Sequence, residues 1–177
     1  MNTIAVDAMG GDSAPIDIVK GAIKAKEQGV DIVLCGDKNL INPYLENHEI
    51  PVFDFPQVIS MDEEPLRAIR NKKNASIVGC MQLLKDKKVQ AVFSAGSTGA
   101  TLISAISILG KHKGVIRPVI ASVLPSLSGN TILLDSGASL DVKPKVLFQY
   151  GIMGAKLAEV IMAVSYTHLT LPTMIRV

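Results

Sequence analysis

Tryptophan is absent, and aromatic residues make up only 4% of the 177-residue chain. Recognition of single-stranded nucleic acid leans on aromatic stacking, so the composition argues against that class. Charge of one sign is also missing: 18 Lys and Arg against 16 Asp and Glu leave a net charge of +2. No broad polyanion-binding face is required, and no nucleic-acid partner is expected. The two cysteines, Cys35 and Cys80, lie far apart in apolar surroundings without a C-x-x-C partner. They read as buried free thiols in a reducing cytosol rather than a disulfide or a metal pair. No two His or Cys residues stand at i, i+3 or i, i+4, so metal-ligand spacing is lacking. His48, His112 and His168 all fall outside the small-residue clusters described below, which leaves a Ser-His-Asp relay without its base. Apolar stretches such as "GATLISAISILG" fall short of the ~18 residues that span a bilayer. The opening "MNTIAVDAMGGD" lacks the basic and then apolar pattern of a secretory signal. A cytoplasmic setting is expected, with peripheral membrane contact left open.

What the chain does have is apolar material: 48% hydrophobic against 19% charged, enough for a buried core. Short β-branched runs alternate with longer helical patterns. Strands are expected at 3–8, 31–36, 51–55 and 90–95, then at 118–125 and 131–138, the last two joined by the turn "SLSGN". Helices are expected after Pro15, briefly across 38–48 despite Pro43, over 66–73 and 75–87, over 98–111, and again from 142 to 164. The strands are almost wholly apolar rather than alternating, which favours a sheet covered on both faces. The expected class is α/β, a sandwich built on a mostly parallel sheet. The segment "SYTHLTLPTMIRV", 165–177, shows no clear helical face. It reads either as an edge strand or as read-through from a frameshift, and is set apart from a domain covering 1–164.

Small polar residues cluster after the strands. Asp7, Gly10, Gly11 and Asp12 follow the first strand, and Gly36 and Asp37 the second. "SAGSTGA" (94–100) supplies Ser94, Gly96, Ser97, Thr98 and Gly99, and Asp135, Ser136 and Gly137 follow "TILL". In a parallel sheet such ends share one rim, where open α/β folds bind ligands. Glycines there let backbone approach an anion, and the next helix adds N–H groups and a positive dipole end. Each cluster also has a plain reading. "AMGGD" is neither G-x-G-x-x-G nor a Walker loop and could be just a tight turn. In "SAGSTGA", Ser97 or Thr98 could simply cap the following helix, with anion binding second and a serine nucleophile a distant third. The acids Asp62, Glu63 and Glu64 before Pro65 could complement a helix N-terminus or hold a cation. "RNKK" and "KHKGVIR" could be solvated helix ends or a docking surface for an acidic protein.

Seven phrases in order, "IAVDAMGGD-AP", "VLCGD", "MDEEPLRAIRNKKNAS", "SAG-TGA", "ILGKHKGVIRP", "LLD-GA--D-KP" and "FQYGIMG", resemble those of the bacterial phosphate acyltransferases over residues 1–160. The resemblance implies a Rossmann-like three-layer α/β/α sandwich and a homodimer without an organic cofactor. It implies transfer of a fatty acyl group from acyl carrier protein to inorganic phosphate, giving acyl phosphate for phospholipid synthesis. It further implies work at the membrane surface, where the product passes to an integral membrane acyltransferase. Phosphate itself would attack the thioester, so no protein nucleophile is needed. Gly96, Ser97, Thr98 and Gly99 would then hold phosphate or the thioester, with Gly10, Gly11 and Gly137 in adjoining walls. Asp7, Asp12 and Asp135 would orient the loops, and Lys143 would contact the anion. Arg67, Arg70, Lys72 and Lys73 would dock the acidic carrier.

Three departures accompany the resemblance. Ser97 stands where the family usually has Asn, Ser13 follows "GGD", and Ser136 and Ser139 replace Val and Asn. The family also extends well beyond this length, so an N-terminal fragment with weak activity and a tendency to self-associate is expected. Two rival functions are a phosphate acetyltransferase-like enzyme using coenzyme A and a non-catalytic phosphate- or nucleotide-binding α/β module.

Overall fold

Four apolar runs form one parallel sheet in the computed structural model, which describes residues 2–127, 129–136, 141–164 and 168–169. These are β1 (Thr3–Asp7), β2 (Asp31–Gly36), β3 (Val52–Asp54) and β4 (Ala91–Ser94), in the order β3-β2-β1-β4. The chain thus walks outward from β1 to β3 and then returns to the other side of β1 to lay down β4. A parallel sheet places such crossovers on its faces, so alternate residues of each strand should meet different helices. They do. Val6, Ile32 and Leu34 join Val19 and Ala22 of α1 (Ile16–Glu27) in one core cluster, together with Ile41 of α2 (Lys38–Ile41). Ala5, Val33 and Cys35 face the opposite way and join Cys80 and Leu83 of α4 (Ser76–Lys85). The result is the expected α/β/α layering.

On the α4 side a further cluster ties α3 (Pro65–Asn71), α4 and α5 (Thr98–Ile108) together through Ala68, Ile69, Ile77, Met81 and Ala100. Glu64 caps α3, accepting from the backbone N–H groups of Leu66 and Arg67 at 3.0 and 2.8 Å, with Pro65 at the first helical position. Of the acids before Pro65, Glu64 therefore serves a helix start, the first of their two readings. Pro43 ends α2 and opens a short 3-10 turn, Asn42–Tyr44, where its missing N–H costs nothing. Asp37 caps α2 through a 2.8 Å bond from Asn39, so the Gly36–Asp37 cluster is a helix start as well.

The chain divides into two compact units, Met1–Gly110 and Lys111–Val177. The second holds β5 (Ala121–Ser126), β6 (Gly129–Leu134) and the 19-residue α6 (Pro144–Met162). β5 and β6 pair as an antiparallel hairpin with Ser126 opposite Gly129, which has φ +135°. The turn joining these neighbours was legible in "SLSGN". The expectation that the end of "TILL" belongs to the rim of the parallel sheet is corrected: among the described residues β6 pairs with β5 alone, in a separate two-stranded sheet. A two-residue connection cannot carry the crossover that parallel pairing requires. Gly137 and Ser139, and all of the 165–177 segment except His168 and Leu169, lie outside the described residues. Among the described residues no helix is long and apolar enough to cross a membrane.

Two predictions concern the core. Cys35 and Cys80 are fully buried free thiols, and the Cys80 thiol is pushed up by its hydrogen bond with Cys35 and by burial. Since the thiolate is the reactive form, neither should react with a maleimide in the native state on the timescale that suffices in urea. Rapid native labelling would contradict the packing. Ser104 of α5 is also fully buried, and its hydroxyl has no hydrogen-bond partner. Ser104→Ala removes a desolvated polar group and should raise the unfolding free energy by about 1 kcal/mol. Chemical denaturation measures this, and a loss of stability would show that the hydroxyl is satisfied.

Candidate functional site

The order β3-β2-β1-β4 places a topological switch point between β1 and β4, since the chain leaves β1 in one direction and returns on its other side. Crossovers diverge there, and a crevice opens at the carboxyl ends of the two strands. Asp7 ends β1 and Ser94 ends β4, and parallel register makes them neighbours on the face that α4 covers. Asp7 is 3% exposed. A carboxylate so enclosed needs donors, and it has two. Ser94 Oγ donates to its Oδ2 at 2.7 Å and the Met9 N–H to its Oδ1 at 3.3 Å. Ser94 Oγ in turn accepts from the N–H of Gly96 at 3.1 Å. One acid thereby fixes both loops that follow the paired strands.

Glycine is obligatory in this arrangement at one position above all. A Cβ on Gly10 would stand 2.5 Å from Asp7 Oδ2 and 2.9 Å from the Gly96 nitrogen. The "AMGGD" and "SAGSTG" backbones can touch only because neither carries a side chain at the crossing. Gly11 has φ +112° and lies against Ala95, so it turns the first loop away toward α1.

The cleft beside this crossing is lined by Asp7, Gly10, Gly96 and Ser97, and by Ser76, Ile77, Ile59 and Thr101. Ser97 is the N-cap of α5, its Oγ accepting from the Ala100 N–H at 3.3 Å. The helix-cap reading of "SAGSTGA" is therefore correct as geometry, and the same turn faces the cleft. Thr98 is exposed at the first position of α5, and Gly99 packs against Pro65. Asp12 is exposed and makes no side-chain hydrogen bond among the described residues. Asp135 follows β6 and Lys143 precedes α6, both in the second unit.

Of the four basic residues assigned to docking, Arg67, Arg70 and Lys73 are exposed, whereas Lys72 is engaged within the fold. Its ammonium donates to Glu63 Oε1 at 2.5 Å and to the Val58 carbonyl at 2.7 Å. The Lys72 bond, followed by the N–H of Ser60, holds the Glu63 carboxyl below its usual range. Val58 and Glu63 flank Ile59 in sequence, so the clasp pins both ends of the segment that forms one wall of the cleft. Ser76, Ile77 and Ile59 escaped the sequence reading. "NAS" before an apolar helical run was the only signal for Ser76 and Ile77, and its meaning depends on α4 meeting α5 at this crevice. Among the described residues no group of three acids, histidines or cysteines could hold a metal ion.

Gly10→Ala tests the crossing. The added methyl has no space between Asp7 and Gly96, so the variant should lose at least about 2 kcal/mol of stability. Gly21→Ala, at an α1 position with open space around it, should not be destabilising. Thermal unfolding of the pair decides, and equal melting temperatures would mean that the loops do not meet as described.

Comparison with known proteins gives the family. The family model described as "Fatty acid synthesis protein" matches residues 2–171. A protein named phosphate acyltransferase from Desulforamulus reducens is 48% identical over 164 residues, covering 90% of this chain and 49% of its own. One of the same name from Desulfitobacterium hafniense strain Y51 is 44% identical over 169 residues, covering 93% and 50%. A third, from Syntrophomonas wolfei, is 42% identical over 176 residues, covering 95% and 55%. The chain spans about half the length of the curated relatives it matches. On a match that takes in nearly all of its residues, the chain belongs to the fatty acid synthesis protein family.

Proposed function

We propose that this chain carries the phosphate-binding half of an acyltransferase that moves a fatty acyl group from acyl carrier protein to inorganic phosphate. The observation that carries the proposal is the cleft at the β1–β4 switch point, walled by glycine backbone and the capped start of α5. Phosphate is a competent nucleophile once it is held in line with the thioester carbonyl. The carbon–oxygen bond forms, an oxyanion develops on the carbonyl, and the carbon–sulfur bond then breaks to release the carrier thiol. The protein's part is positioning and electrostatic preorganisation by N–H donors. That division of labour suits a cleft with serine and glycine but no histidine base.

In this proposal Gly96, Ser97, Thr98 and Gly99 hold phosphate or the thioester, with Gly10 and Gly11 as the adjoining wall. Asp7 is the positioning residue that sets both loops, and its bond to Ser94 supports that role. Asp12, Asp135, Gly137 and Lys143 keep the contributions to the reaction that the family resemblance implies. Arg67, Arg70 and Lys73 present positive charge to the acidic carrier, while Lys72 acts indirectly by holding the Ile59 wall. The whole enzyme works as a homodimer at the membrane surface and passes acyl phosphate to an integral membrane acyltransferase.

The test combines phosphate binding with trapping of acyl phosphate as its hydroxamate. Phosphate should bind the chain and slow hydrogen exchange in the 94–101 turn. Hydroxamate should form only when acyl carrier protein thioester and phosphate are both present. Binding without any transfer, even by a protein of the relatives' full length, would favour a non-catalytic module, and preference for a coenzyme A thioester would favour an acetyltransferase-like enzyme. Failure to bind phosphate at all would overturn the proposal.

A further inference from the structure

Ser76 is 2% exposed, borders the cleft, and its hydroxyl has no hydrogen-bond partner among the described residues. Its backbone N–H is already used, donating to the Gln57 carbonyl at 3.1 Å. A hydroxyl at the edge of a cleft with no hydrogen bond of its own is free to donate to a ligand atom. Ser76 opens α4, a ten-residue helix whose N-cap, Ala75, offers no side-chain oxygen. Ser97, Ala100 and Thr101 from the start of α5 line the same cleft. Two helix N-termini therefore border one small space, and both favour negative charge.

The third wall has the opposite character. Asp7 presents a carboxylate to the cleft, and only two of its roughly four acceptor positions are taken, by Met9 and Ser94. Such a carboxylate repels an anion that has no proton and accepts a hydrogen bond from one that has. Near neutrality phosphate retains a proton and sulfate does not, although the two ions share size and shape.

We propose that the cleft between α4 and α5 selects hydrogen phosphate over sulfate, with the Ser76 hydroxyl as a donor to the anion and the Asp7 carboxylate as acceptor of its P–OH. The inference rests on the phosphate-dependent function proposed above and adds to it the residues that choose the anion. Discrimination then comes from a repulsive element as much as from an attractive one. Sulfate finds the same donors but meets Asp7 as an unrelieved like charge.

Isothermal titration of the chain with inorganic phosphate and with sulfate, at matched ionic strength, tests this. Phosphate should bind at least about tenfold more tightly than sulfate. Ser76→Ala should weaken phosphate about tenfold while leaving the melting temperature in place. Asp7→Asn should bring the two anions to within about threefold of each other. If Asp7→Asn fails to fold, the ratio in the unsubstituted chain and the Ser76→Ala result still decide. Equal affinity for the two anions, or undiminished phosphate binding by Ser76→Ala, overturns this inference and leaves the acyltransferase proposal standing. No phosphate binding at all overturns both.

Discussion

The hydrogen bond from Ser94 to Asp7 is the contact on which the site end of the fold depends. It joins the last residues of two neighbouring strands and sets where both loops begin. A carboxylate at this depth would be strongly destabilising without donors, and removing Ser94 would leave one buried and half satisfied. The glycines follow from the same contact. Because Asp7 and Ser94 draw the two loops together, Gly10 and Gly96 must pass each other at a distance that admits no Cβ on Gly10. Acid, serine and glycines are thus one constraint expressed at several positions.

That the cleft lies on the α4 side follows from strand periodicity. Odd positions of β1 face α4 and even positions face α1, as Ala5 and Val6 show. Asp7 shares the parity of Ala5, so its carboxylate emerges where α4 and α5 begin. A shift of one residue would turn it toward α1, away from both helix starts. The Lys72 clasp closes this side by holding Val58 and Glu63 on either flank of Ile59. One face of the sheet is consequently committed to packing at this end, while the other carries packing and the cleft together. β4 shows the imbalance: Phe93, on the α1 face of an edge strand, is 55% exposed.

Much of this was legible in the sequence because the signals were local. Apolar runs of strand length, Pro15 and Pro65 at helix starts, and glycines after "AVD" and "FSA" each report on their immediate neighbours. The readings that changed all needed information from elsewhere in the chain. "TILLD" has the same apolar run as a parallel strand, and only its short turn to β5 makes it half of a hairpin. Lys72 looks like any solvated lysine until Glu63 and Val58 fold back onto it. Ser76 carries no motif of its own, and its position in the cleft comes from the packing of α4 against α5. Local chemistry identified the loops, and tertiary packing decided what stands opposite them.

Ser97 shows how the competing readings of "SAGSTGA" fit together. As the N-cap of α5 its oxygen accepts from Ala100, which uses a lone pair but leaves the hydroxyl proton available. Capping and donation to an anion draw on different halves of the same group, so neither excludes the other. An asparagine here would divide the tasks in the same way, its carbonyl oxygen capping and its amide nitrogen donating twice. Serine thus keeps the start of the helix and offers the cleft one donor where the asparagine expected from the resemblance would offer two. A nucleophilic serine is a different case, because attack requires removal of that same proton by a base. No histidine lines the cleft to take it. On the proposed reaction the hydroxyl would hold the anion, and the attack would fall to the anion itself.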